Sequence, residues 1–154
     1  MSPELHISLA DLKSNLNFFR RIIRKPTELS AVVKSDAYGL GITKIVPEIA
    51  KCNVKSFFTA TISEAIKVRS CSPHSEIFTL NGFDFLNAKS YKEFNITPVI
   101  NNILEAQKFI EAFSQTHKVA IQLNTGMNRL GLNKHALFEN LDLIKALPIN
   151  LILS

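Results

Sequence analysis

Ala31-Val32-Val33-Lys34-Ser35-Asp36-Ala37-Tyr38-Gly39-Leu40-Gly41 is the stretch on which the fold turns. Leu29 to Lys34 predicts a buried strand. Two glycines then break the chain before a helical pattern begins. A lysine closing an apolar strand is unusual, because an ammonium leaving water costs several kcal/mol. Either its side chain runs past the strand end into water, or a chemistry at this point uses an uncharged amine.

Outward from that stretch the chain alternates. Leu5 to Ser8 predicts a short strand, and Ser8 with Asp11 marks a helix start. Leu9, Leu12, Leu16, Phe19 and Ile23 recur at helical spacing, which predicts a helix over 9–24 that Pro26 ends. After the glycines, Ile42, Ile45, Val46 and Ile49 mark a helical face, with Pro47 expected near the first turn or at a kink. Strands follow at Ser56 to Ala60 and Glu76 to Leu80. Between them, Thr61 and Glu64 form a capping box that opens a helix to about Arg69. Phe83 to Phe94 predicts a helix. Ile96 to Ile100 predicts a strand that Pro98 pushes toward an edge or an end position. Asn102 with Glu105 opens a helix, Lys118 to Leu123 is a strand, and Asn124 to Leu132 a glycine-bearing loop. Asn133 caps a helix with Leu137, Leu141 and Ile144 inward, and Ile149 to Leu153 is the last strand.

One helix and then six strands alternating with five helices predict an α/β fold of repeated βαβ units around a parallel sheet. An open doubly wound sheet and part of an eight-stranded barrel both fit. The 154 residues are too few for a full barrel, which takes ~200 or more. No run approaches the ~18 apolar residues of a membrane span, and Met1 to Ala10 lack the pattern of a signal peptide. The expectation is therefore a cytoplasmic protein with no membrane partner. The charge of +5 gathers at Arg20, Arg21, Arg24 and Lys25. No aromatic residue lies among them, so they read as a solvated helix face and not as a nucleic-acid patch. Cys52 and Cys71 form no CxxC and are expected to be buried, inert thiols. His6, His74, His117 and His135 have no metal-ligand spacing.

In parallel α/β folds, sites form where strands finish and loops lead into helices. Lys34 occupies such a point. So does Asn124-Thr125-Gly126-Met127-Asn128-Arg129-Leu130-Gly131, from a different unit but the same end of the sheet. An amine is nucleophilic only when unprotonated, which burial and a neighbouring cation both favour. A guanidinium offers a fixed fork of donors to a negative oxygen.

Both stretches resemble the PLP-dependent alanine racemase family. The first is similar to its A-V-V-K-x-D-A-Y-G-x-G motif, whose lysine forms the Schiff base with pyridoxal 5'-phosphate (PLP). The second is similar to its T-G-M-x-R-L-G motif. The resemblance runs through nearly all of 1–154, as the N-terminal part of the PLP-binding barrel of a longer, truncated enzyme without the C-terminal β-domain. It implies an incomplete (β/α)8 TIM-type barrel of about six strands. It further implies Lys34 as the catalytic and cofactor-binding amine and Tyr38 as a phosphate ligand. Arg129 would lie beside the cofactor's phenolic oxygen and the substrate. The implied function is interconversion of L- and D-alanine for peptidoglycan supply, by a homodimer in the family. The family's second base, a tyrosine from the partner subunit's C-terminal domain, and its further phosphate ligands from the last barrel strands match nothing here, so weak PLP binding at best and little turnover are expected of this chain.

Two positions depart from the family pattern. Seven residues before Arg129, many members carry a carbamylated lysine where this sequence has Gln122. The acidic residue common at the start of the loop is Asn124. Gln122 can still accept one neutral hydrogen bond from Arg129, weaker than a charge-assisted one. The alternative functions are a non-catalytic remnant, a subunit completed by a separate C-terminal half, and a PLP carrier.

Overall fold

A computed structural model describes residues 4–113 and 116–154. Helix α1 (Leu9–Ile22) leads into β1 (Ser30–Val32) and a short turn, α2 (Lys34–Tyr38). Then come α3 (Ile42–Lys51), β2 (Ser56–Thr59), α4 (Ile62–Cys71) and β3 (Glu76–Thr79). A 3-10 turn at Phe85–Asn87 runs into α5 (Ala88–Glu93), followed by β4 (Thr97–Ile100), α6 (Ile103–Phe113) and β5 (Val119–Gln122). Helices α7 (Lys134–Glu139) and α8 (Leu141–Lys145) precede β6 (Ile149–Leu153).

The sheet order is β1-β2-β3-β4-β5-β6, with every neighbouring pair parallel. That order chooses between the two architectures. A doubly wound sheet reverses direction at a switch point, and this one never does. Right-handed crossovers taken always in the same direction put all helices on one face, which curls the sheet into a segment of a (β/α) barrel. The two faces carry separate apolar layers. Under the helices lie Val46, Phe57, Val68, Ile77, Ile100 and Phe109. On the concave side Phe58, Phe78, Val99 and Ala120 form a smaller layer, with Leu80, Leu151 and Leu153 against it. Strands β2 to β5 are consequently buried on both faces over most of their length, as parallel strands usually are.

Several expectations need correction. Leu5 to Ser8 is not a strand; no described segment pairs with it, and a lone extended run has no ladder to join. Strand β1 is not buried, and Val32 is 46% exposed on a strand that, among the described residues, has a neighbour on one side only. Pro98 takes an end position, second in β4, although β4 is an interior strand. Pro47 lies inside α3, past its first turn. The helix expected over Phe83–Phe94 begins as a 3-10 turn, because Asp84 Oδ1 accepts from Leu86 N at 3.1 Å and tightens the chain. The helix after Asn133 breaks at Asn140, whose Nδ2 donates back to Ala136 O at 3.0 Å, a local bond that competes with helix continuation. Both cysteines are free and half-buried, not buried. Arg24 and Lys25 lie beyond the end of α1, and Arg20 is half-buried with Nη2 shielded from water. Among the described residues no helix is long and apolar enough to cross a membrane.

Candidate active site at the rim of the sheet

Strand β1 ends at Val32, and the chain then reverses its hand. Ser35, Asp36, Ala37 and Tyr38 all have φ between 52° and 56°, so α2 is a single left-handed turn. For L-residues this conformation costs roughly 1–2 kcal/mol each, and such strain persists only where the surroundings over-determine it. Here they do. Ala37 is buried and donates its N–H to Val33 O at 3.0 Å. Gly39 N donates to Ser35 O, and Gly41 N to Asp36 O, both at 2.9 Å. Asp36 Oδ1 accepts from Ile42 N at 2.9 Å, so it serves an orphan amide at the start of α3. Glu64 Oε1 accepts from Ser35 N at 2.7 Å.

The turn sets out two functional groups. Lys34 is half-buried, at the point where the hand changes. Tyr38 is 63% exposed and faces open solvent. Lys34 was expected at the strand end; it stands two residues past it, because the strand ladder stops where the left-handed turn begins.

The second stretch follows β5 and is closed into a loop. Leu132 N donates to Gln122 O at 2.8 Å and Asn124 N to Leu132 O at 2.9 Å. Inside, Asn124 Oδ1 accepts from Gly126 N and Asn128 N, each at 3.1 Å, while Asn124 Nδ2 donates to Asn128 Oδ1 at 3.0 Å. An aspartate could make the first two bonds but not the third. The departure at Asn124 therefore exchanges a charge for a donor that holds Asn128 at φ 56°. Arg129 is exposed on this loop. No hydrogen bond between Gln122 and Arg129 forms among the described residues, and neither Arg129 nor Lys34 belongs to an ion pair there.

Because all six strands are parallel, Lys34 after β1 and the Arg129 loop after β5 stand on the same rim. Four inter-strand steps separate their strands, about 19 Å measured along the sheet at roughly 4.8 Å per step. The curl brings those ends nearer to each other across the concave side. The rim between them is tightly built. Gly82, after β3, has φ 97°, and a β-carbon there would fall 2.6 Å from Glu105 Oε1. Glu105 Oε2 accepts from Asn101 N at 2.9 Å, and burial pushes its carboxyl above the usual range. Tyr91 OH donates to Gly82 O at 3.2 Å, and burial pushes its hydroxyl up as well.

Sequence reading missed three contributors. Glu64 was legible as a helix cap, but nothing in its spacing links it to Ser35, 29 positions away. Asp36 gave no sign of its partner at Ile42. Asn124 showed as a lost charge only.

Comparison with known proteins gives a consistent family. The family model "Alanine racemase, N-terminal domain" matches residues 7–153. An alanine racemase of Rickettsia prowazekii (strain Madrid E) is 34% identical over 157 residues, covering 97% of this chain and 39% of that protein. The solved alanine racemase of Bartonella henselae, with covalently bound pyridoxal phosphate, superposes with a TM-score of 0.83 at 29% identity, over 95% of this chain and 44% of that one. The solved alanine racemase from E.faecalis shares the fold with a TM-score of 0.84 at 20% identity, over 96% of this chain and 42% of that one. The chain thus spans about two fifths of the length of these relatives.

Proposed function

Because the chain belongs to the alanine racemase N-terminal domain family, we propose that residues 1–154 form the PLP-binding barrel portion of an alanine racemase, with Lys34 as the amine that carries the cofactor. The supporting observation is that Lys34 and the Arg129 loop, which hold the two family motifs, stand on one rim of a parallel sheet. The donor set suits the group. It offers an amine without an ion-pair partner among the described residues, a phenol and a guanidinium, for an aldehyde that also bears a phosphate and a phenolic oxygen.

In this reading Tyr38 OH donates to the cofactor phosphate. The Arg129 guanidinium donates to negative oxygen on the cofactor ring and on the substrate. Lys34 Nζ exchanges a proton with the α-carbon of alanine on one face only. When bound, PLP supplies an electron sink for the charge left on that carbon. The whole protein would interconvert L- and D-alanine in the cytoplasm, as a homodimer, in supply of peptidoglycan.

Titration with PLP, followed by visible absorbance, tests the reading. A saturable new band in the wild type that is missing in Lys34→Ala is expected. An equal band in Lys34→Ala, or none in the wild type, would overturn it.

A further inference from the structure

The capping box of α4 needs only one oxygen of its carboxylate. Glu64 Oε2 fills that role, accepting from Ala60 N at 2.8 Å and from Thr61 N at 3.4 Å, while Thr61 Oγ1 accepts from Glu64 N. Oε1 turns instead to another unit of the fold and accepts from Ser35 N at 2.7 Å. This is the shortest of the four, at the length of a charge-assisted bond. Its donor is the amide next to Lys34, on the first residue of the left-handed turn.

We propose that Glu64 is a positioning residue for Lys34: through the Ser35 N–H its carboxylate fixes the Lys34–Ser35 peptide against the end of β2, and so sets the direction in which the amine leaves the rim. The proposal rests on Lys34 being the cofactor amine. Its geometry is a two-ended clamp. Glu64 holds the first residue of the turn, and Asp36, bonded to Ile42 N, holds the side toward α3. A backbone that L-residues avoid unless held would otherwise relax toward ordinary φ values, and Lys34 would swing with it. Glutamine keeps the shape of Glu64 but has one acceptor oxygen for two sets of amides, and it points an NH2 at one of them.

The test compares Glu64→Gln with Thr61→Ala, which weakens the same helix cap without touching Ser35. PLP binding is followed by visible absorbance, and stability by thermal melting. At comparable loss of melting temperature, Glu64→Gln is expected to bind PLP about tenfold more weakly while Thr61→Ala stays within about twofold of wild type, a tenfold change being about 1.4 kcal/mol. Equal PLP binding by Glu64→Gln and wild type would overturn the proposal while leaving Lys34's own role standing. So would equal weakening by both variants, or loss of the cooperative melt in Glu64→Gln, since the residue would then hold the whole fold and not the turn. Absence of a band in the wild type would instead remove the reading of Lys34 on which the proposal rests.

Discussion

Gly131 lies so close to Gln122 that a β-carbon on it would fall 2.9 Å from both the Gln122 carbonyl oxygen and Gln122 Cγ. The contact closes the loop that carries Arg129 onto the end of β5. With φ at 100°, Gly131 also has a backbone that other residues rarely adopt. Gly131→Ala is expected to cost about 1–3 kcal/mol, in the range of strain at a special φ combined with overpacking. Denaturation in urea reads the cost. A midpoint unchanged from wild type would show that the loop has room to give.

At the opposite end of the sheet, Arg69 donates to five backbone carbonyls. These are Phe94 O and Asn95 O at 2.8 Å, Pro73 O at 2.9 Å, Ser75 O at 2.7 Å and, more weakly, Ser72 O at 3.5 Å. A lysine has a point charge and cannot reproduce that planar fork. Arg69→Lys should therefore lose roughly 2–3 kcal/mol, the cost of leaving more than one carbonyl unpaired. Equilibrium unfolding would show it, and a loss below about 0.5 kcal/mol, the range of ordinary surface changes, would contradict it.

Glu48 ties α1 to α3, accepting from Lys13 Nζ at 2.8 Å and from Lys51 Nζ at 2.6 Å. Those two ammonium groups pull its carboxyl down from 4.5 to about 2. A carboxyl depressed in the folded state adds stability above its unfolded value, and that stability is lost as pH falls through the folded one. The melting-temperature gap between wild type and Glu48→Gln should be constant above pH 4.5 and shrink as pH falls toward 2. Added salt should narrow it at neutral pH, because exposed pairs are screened. A gap that widens on acidification would reverse the sign.

Phe58 and Phe78 stack at 4.7 Å with planes 14° apart on the concave face of the sheet. Phe78 is 2% exposed. Phe78→Ala should cost about 3–5 kcal/mol, as a large cavity in a core does. Phe78→Leu, which keeps most of the volume, should cost clearly less by the same unfolding measurement.

The alternation of strands and helices was legible because the residues that punctuate it act locally. Thr61 with Glu64, Asn133 and Ser8 cap helices as their types and spacing suggest. What stayed hidden depends on partners distant in sequence. Leu5 to Ser8 has a strand's composition but no pairing neighbour among the described residues. Strand order, which separates barrel from open sheet, is a matter of long-range pairing. The reversed turn is the sharpest case. Ser35, Asp36, Ala37 and Tyr38 are residues that normally avoid positive φ, and the bonds that hold them there come partly from Glu64, in the next unit. The family motifs marked the rim at Lys34 and Arg129, yet they said nothing of Glu64, Asp36 or the donor that Asn124 turns on Asn128.

Lys34 Nζ is the nitrogen proposed to carry the cofactor, and peptide mapping addresses it directly. The protein is incubated with PLP, reduced with borohydride, digested and analysed by mass spectrometry. The phosphopyridoxyl mass is expected on the peptide containing Lys34, in clear preference to the other lysines. Label spread evenly over surface lysines, with no excess at Lys34, would contradict it.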